Sequence, residues 1–357
     1  MSRSRTILTA SALVASAALL AGCSTGPAEP TGNPDEPTTL TFVGYGGAGQ
    51  DAMIAAWQDP YTAEHPNVTF VNTSPPDISQ VQAQVQAGAV QWDVVAVAAF
   101  AAQQNCGTLF EEIDLSGVDQ TDLVPGSVGD CFMTGFYNAT PLAYRTDAFP
   151  DPSKAPKTVA DFFDVEKFPG QRGVLTNLQN GLLEYGLLGD GVAGDKLYPL
   201  DVDRSLAKWD TIRDHTTFAP NVGALQQAVA SNQVDMFFLS DSRIVPTMND
   251  RTDITVVWDT TVVTQSAFAV PLGSAHKDVA ADFLSTLGGK QQVTSITEAL
   301  GTAPVNTAAP LNLSENAAKL QVFNPKVNTG ETVIQDLDWY ASNFNDVQAQ
   351  VTNWLAG

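Results

Sequence analysis

Side chains capable of covalent or metal chemistry are few and scattered. His65, His215 and His276 stand far apart, and Cys23, Cys106 and Cys131 contain no Cys-x-x-Cys pair. Zinc sites bring their ligands at short, repeated spacings, which this chain lacks. A Gly-x-Ser-x-Gly elbow and a His-Glu-x-x-His helix are also missing. The sequence therefore points away from an enzyme, a metal site or a bound cofactor.

What the chain does offer is suited to noncovalent capture. The turn Gly44-Tyr45-Gly46-Gly47-Ala48-Gly49 lies between an extended run and a helical pattern. Glycines there let backbone N–H groups approach a ligand closely. It is not a phosphate loop, since the lysine and Ser/Thr of that motif are absent. Tyr45, flanked by glycines, has no local side chain to pack on and is expected to form a pocket wall, with Gly46 beside it. Phe100 and Phe238 end two extended runs, where a ring either lines a pocket or joins a core. Asp241, in Ser240-Asp241-Ser242-Arg243, could meet an ammonium group or pair with Arg243. Glu184 follows Asn180-Gly181 near a helix start, where the dipole favours a carboxylate. Trp258 and Asp259 precede a chain crossing and could face a cleft. Asp93, Trp209, Trp339 and Tyr340 read as structural.

Residues 40–43, 68–71 and 94–98 read as strands, and 50–65 and 78–88 as helices between them, giving β-α-β-α-β. The uninterrupted run Val94-Val95-Ala96-Val97-Ala98 suits a strand buried on both faces of a largely parallel sheet. Ligands of such sheets gather at the carboxyl ends of strands, which places 44–47 and 98–100 at a pocket. The extended stretch 140–144 is expected to carry the chain into a second unit. Its helices are expected over 159–163, 182–189, 201–214 and 224–232, and its strands over 173–175, 235–239 and 254–258. A strand over 266–271 then returns to the first unit, helices over 277–287 and 290–300 follow, and a last helix spans 336–355.

The N-terminus reads as an export signal. Arg3 and Arg5 precede an apolar and small-residue run from 7 to 20, too short to cross a bilayer. Leu20-Ala21-Gly22-Cys23 resembles the lipobox of bacterial lipoproteins, which predicts signal removal after residue 22 and a lipid on Cys23. The Pro-rich stretch up to residue 39 then reads as a tether. Without the signal, 15 basic residues face 39 acidic ones, a net charge near −24. Nucleic acid and anionic lipid are poor partners for such a surface. In an oxidising compartment the remaining cysteines, Cys106 and Cys131, are expected to form a disulfide.

Several strings, in order, resemble the extracellular solute-binding proteins of ABC importers, in particular the spermidine/putrescine-binding branch. They are Trp92-Asp93-Val94-Val95, Leu142-Ala143-Tyr144-Arg145-Thr146-Asp147, Lys167-Phe168-Pro169-Gly170-Gln171-Arg172-Gly173, Tyr198-Pro199-Leu200-Asp201 and Gly301-Thr302-Ala303-Pro304. The resemblance implies an α/β, periplasmic-binding-protein-like fold of type II, with two lobes hinged about a ligand cleft. It implies a first lobe over 40–142 plus 266–312, a second over 143–265, and a C-terminal helical segment over 313–357. It also implies a monomer, anchored outside the cytoplasmic membrane, that hands a small solute to ABC permease subunits. Tyr45, Phe100 and Phe238 fall where that branch has aromatic residues. Thr264 and Ser266 fall where it has a tryptophan and the amine-binding aspartate, and Gln179 and Asn180 stand near another expected aspartate. A polyamine or related amine is the expected solute, with another polar or zwitterionic solute as the alternative. A ferric-iron receptor would need adjacent tyrosines, and no Tyr-Tyr pair exists.

Overall fold

The run Val94–Ala98 lies where its composition asks, inside a sheet covered on both faces. Val94 and Ala96 pack into one apolar cluster and Val95 into another, as the alternation of a strand requires. The computed structural model describes residues 37–251 and 253–357; the expected signal peptide, Cys23 and residues 24–36 of the expected tether lie outside the described residues.

Ten strands among the described residues form one sheet. They are β1 (Thr38–Val43), β2 (Val68–Thr73), β3 (Val94–Ala98), β4 (Val128–Gly129), β5 (Phe132–Arg145), β6 (Arg172–Leu175), β7 (Thr216–Ala219), β8 (Met236–Phe238), β9 (Ile254–Ala269) and β10 (Glu331–Ile334). The order is β2-β1-β3-β9-β5-β8-β6-β7, with β10 also paired to β9 and β4 to β5. Strands β1, β2 and β3 are parallel, as are β6, β7 and β8, and each trio joins the centre through an antiparallel pairing.

The long strands β5 and β9 make that centre. They pair antiparallel from Met133↔Phe268 to Arg145↔Ile254, with irregularities near Gly135 and Pro141. Both interruptions have a local cause. Pro141 cannot donate to the ladder. A side chain at Gly135 would run into the rings of Trp57 and Phe268, each 2.7 Å from where its Cβ would stand. Irregularities of this kind bend and twist a strand, and this one pair of strands runs through both halves. The sequence suggested separate strands at 254–258 and 266–271. They are one strand of 16 residues, because pairing with β5 carries the polar stretch between them.

Each half has its own aromatic core. Phe42 and Trp57 pack on Phe268 at 5.6 and 4.9 Å in the first. In the second, Phe162 packs on Phe238 at 4.6 Å, and Phe163 on Trp209 at 4.7 Å. Burying one such ring stabilises by roughly 1.5–3 kcal/mol. The expected helix at 50–65 is broken: it runs Gly47–Met53, widens to a π turn over Ile54–Gln58, and resumes as Asp59–Glu64. Pro60, lacking an N–H for the carbonyl four residues back, stands at that change. The helices Ala99–Gln104 and Asp241–Asp250 and the strands β7 and β10 were not legible in the sequence.

Cys106 and Cys131 form a disulfide, with Cα atoms 5.6 Å apart and a sequence separation of 25. Closing a loop of that length is worth about 3 kcal/mol on the chain-entropy account. The last helix, Leu337–Ala356, capped by Asp336, lies across both halves. Tyr340 and Phe344 pack on Phe100 at 5.6 and 4.6 Å, while Trp354 bonds Asp210 at 2.9 Å.

Candidate ligand-binding cleft

A cleft of about 1250 Å³ opens where β5 and β9 cross between the halves. One wall comes from the glycine turn after β1. Gly46 and Gly47 hold φ angles of 75° and 52°, which disfavour other residues. A Cβ on Gly46 would also stand 2.8 Å from the Ser74 hydroxyl. This backbone turns Tyr45 outward, leaving its side chain 47% exposed within the cleft. The surrounding walls push its phenol pKa up, with the side chain of Ser266 pulling the other way. Phe100 adds an apolar face to the same wall.

The floor comes from the crossing strands. Asn138 lies opposite Thr264 in the ladder, and its Nδ2 donates to the Ser266 hydroxyl at 2.8 Å. Both Thr264 and Ser266 line the cleft, as does Asn138. On the far wall, Asn180 donates to Thr140 at 3.3 Å, and Asn177 and Gln179 stand beside it.

Ser240, Ser242 and Arg243 bring the start of the helix Asp241–Asp250 to the cleft. Arg243 is the only lysine or arginine among the described lining residues, and it is exposed. It forms no ion pair with any described residue. A guanidinium presents a fork of donors matched to a carboxylate. The positive end of the helix dipole reinforces it.

The structure thus gathers Tyr45, Phe100 and Ser266 at the cleft, with Gly46 shaping the turn behind Tyr45. It places Glu184, Phe238, Asp241 and Trp258 elsewhere, each for a definite packing reason. Asp241 is fully buried; its carboxylate accepts the N–H groups of Ala139 at 3.0 Å and Ser242 at 2.7 Å. Burial pushes its pKa up to about 8, with the backbone N–H groups of Ala139, Ser242 and Ala303 pulling the other way. It contributes nothing to Arg243, which corrects the pairing considered from sequence.

Glu184 is also fully buried. Its Oε1 accepts from Tyr198 at 2.6 Å, Tyr340 at 2.8 Å and Gln335 at 2.9 Å. Burial pushes its pKa up and the three donors hold it down. Phe238 stacks on Tyr185 at 3.7 Å, inside the second core. Trp258 packs against apolar clusters on β9.

Sequence reasoning missed Asn138, Gln335 and the cleft role of Arg243. An asparagine within the otherwise apolar run of β5 was a usable signal for the first. Nothing local marked Gln335.

The profile of the bacterial extracellular solute-binding protein family matches residues 56–323. The chain belongs to that family. It is 25% identical over 325 residues to the gamma-aminobutyric acid-binding protein of Pseudomonas aeruginosa, covering 89% of this chain and 91% of that one. A solved GABA receptor, Atu4243, shares 30% identity, covers 89% of this chain and 97% of its own, and superposes with a TM-score of 0.80. The binding protein AgtB of A. tumefaciens R10, solved with agropinic acid, shares 26% identity over 90% of this chain and 99% of its own, with a TM-score of 0.74. As a member of this family, the chain is a substrate-binding protein of an ABC transporter with the periplasmic-binding-protein-like fold. It binds a small molecule rather than transforming one. Among the described residues no helix is long and apolar enough to cross a membrane.

Proposed function

We propose that this solute-binding protein captures a small zwitterionic amino compound of the GABA type, anchoring the carboxylate on Arg243. The observation that carries this reading is the exposed Arg243, without an ion pair to any described residue, on a cleft wall beside the hydroxyls of Ser240 and Ser242. Relatives named for GABA agree with it in ligand class. Tyr45, Phe100, Asn138 and Ser266 then supply an aromatic and amide lining for the rest of the solute.

The competing reading is the polyamine expected from the family branch that the sequence resembles. A desolvated di- or triamine needs carboxylates facing it. The acids read for that purpose, Glu184 and Asp241, are bonded to interior partners instead. We also propose a lipid anchor on Cys23, checked by lipid labelling that is lost in Cys23→Ser.

Thermal unfolding of the purified chain against GABA, other amino acids, putrescine and spermidine tests the solute class. A bound solute at a hundred times its dissociation constant stabilises by about 2.7 kcal/mol. The expected result is a raised Tm with GABA-type solutes. A rise with putrescine and spermidine, and none with any carboxylate-bearing solute, refutes the proposal.

A further inference from the structure

Gln335 follows β10 and lines the cleft, although only 5% exposed. The neighbours of its amide establish which way round it sits. Nε2 lies 2.8 Å from the Leu178 carbonyl and 2.9 Å from Glu184 Oε1. The Leu178 carbonyl can only accept hydrogen bonds, so the reversed amide would set oxygen against oxygen there. The opposite atom, Gln335 Oε1, accepts no bond from any described residue and is not among the sealed, unpartnered polar atoms of the described interior. It is an acceptor open to the cleft.

Glu184 is held in its turn. Tyr198 and Tyr340 both donate to the oxygen that receives Gln335. This joins an internal carboxylate to the cleft through one amide, and the negative end of that amide points outward. An ammonium group is the ligand chemistry that such an oxygen favours.

We infer that Gln335 Oε1 receives the ammonium group of the bound solute, and that Glu184 is the positioning residue that keeps the amide so oriented. The inference rests on the reading of the solute as an amino compound and assigns the end opposite the carboxylate. It also gives the buried Glu184 a role at the site without contact with the ligand.

The test is calorimetric titration of the full chain with GABA, with butyrate, which lacks the ammonium group, and with putrescine, which lacks the carboxylate. Wild type is expected to prefer GABA to butyrate strongly. Gln335→Leu is expected to cut that preference about tenfold or more by weakening GABA alone, as loss of a charge-assisted hydrogen bond does. Glu184→Gln is expected to act in the same direction, because a side-chain amide at 184 can donate and frees Gln335 to turn. If Glu184→Gln does not fold, Gln335→Leu and Gln335→Met read the oxygen directly. Equal weakening of GABA and butyrate, which a merely structural role would produce, overturns the assignment. So does a wild-type protein that takes no ammonium-bearing solute. Binding of putrescine that Gln335→Leu weakens, together with GABA binding indifferent to Arg243→Gln, upholds Gln335 and defeats only the carboxylate reading.

Discussion

Arg243→Gln is expected to weaken binding of a GABA-type solute by roughly two to three orders of magnitude, about 3–4 kcal/mol, while leaving the Tm of the unliganded protein unchanged. Stability is spared because Arg243 is exposed and forms no ion pair with a described residue, and such surface positions contribute within about 0.5 kcal/mol. Affinity suffers because the solute carboxylate, enclosed between the lobes, would lose the only cationic side chain among the described lining residues. Lysine should restore part of the loss, since it supplies charge without the fork of donors. Isothermal titration of the three proteins decides it. A dissociation constant within twofold of wild type in Arg243→Gln would remove the carboxylate from that wall.

The second large effect is on stability and lies far from the cleft. Arg172 is fully buried, and its guanidinium donates to the carbonyls of Phe162 at 2.9 Å, Gly170 at 2.6 Å, Phe168 at 2.5 Å and Asp164 at 3.3 Å. Desolvation draws its pKa down to about 10, against the opposing pull of Asp235 and Asp164. One side chain thus ties three carbonyls of the loop between the helix Val159–Phe163 and β6, and one at the end of that helix, to a single point. Arg172→Met fills a similar volume but takes the side-chain donor from the carbonyls of Phe162, Phe168 and Gly170, each costing about 1–3 kcal/mol when left unpaired, while Asp164 keeps the Phe168 N–H. The expected net loss is about 5 kcal/mol in urea unfolding. Arg172→Lys should recover only a fraction, because three donors on one nitrogen cannot reach four separated oxygens. A loss below about 1 kcal/mol would mean that the loop finds other partners.

The two residues differ in how readable they were. Arg172 stands in Lys167-Phe168-Pro169-Gly170-Gln171-Arg172-Gly173, a string that contributed to the family resemblance, although nothing local says that its charge is buried. Arg243 enters the sequence reading only as one of two possible partners for Asp241, the other being an ammonium group, because nearby opposite charges can pair. The helix that starts at Asp241 turns the carboxylate inward onto Ala139 and leaves the guanidinium on the cleft side. Neighbours in sequence were separated by the geometry of a helix start.

Glu184 shows a signal that was present and underused. Its helix, Leu182–Gly189, is apolar on every side and buried at all eight positions. A helix apolar all round belongs in a core. An acid within it was therefore bound for an internal network rather than for an open wall.

The sequence by itself determined the elements whose character is local: the buried strand Val94–Ala98, the glycine turn that projects Tyr45 and the amphipathic helices. Periodicity, turn stereochemistry and side-chain volume act over a few residues, so they can be read before the chain folds. Only the tertiary structure decided that β5 and β9 run unbroken through both halves, and which polar groups face the cleft. It likewise brought Gln335 onto Leu178 and Glu184, which lie close together in sequence and far from it. Those outcomes depend on hydrogen bonds and packing between residues more than a hundred positions apart, as Gln335 and Glu184 are, and no local pattern encodes them.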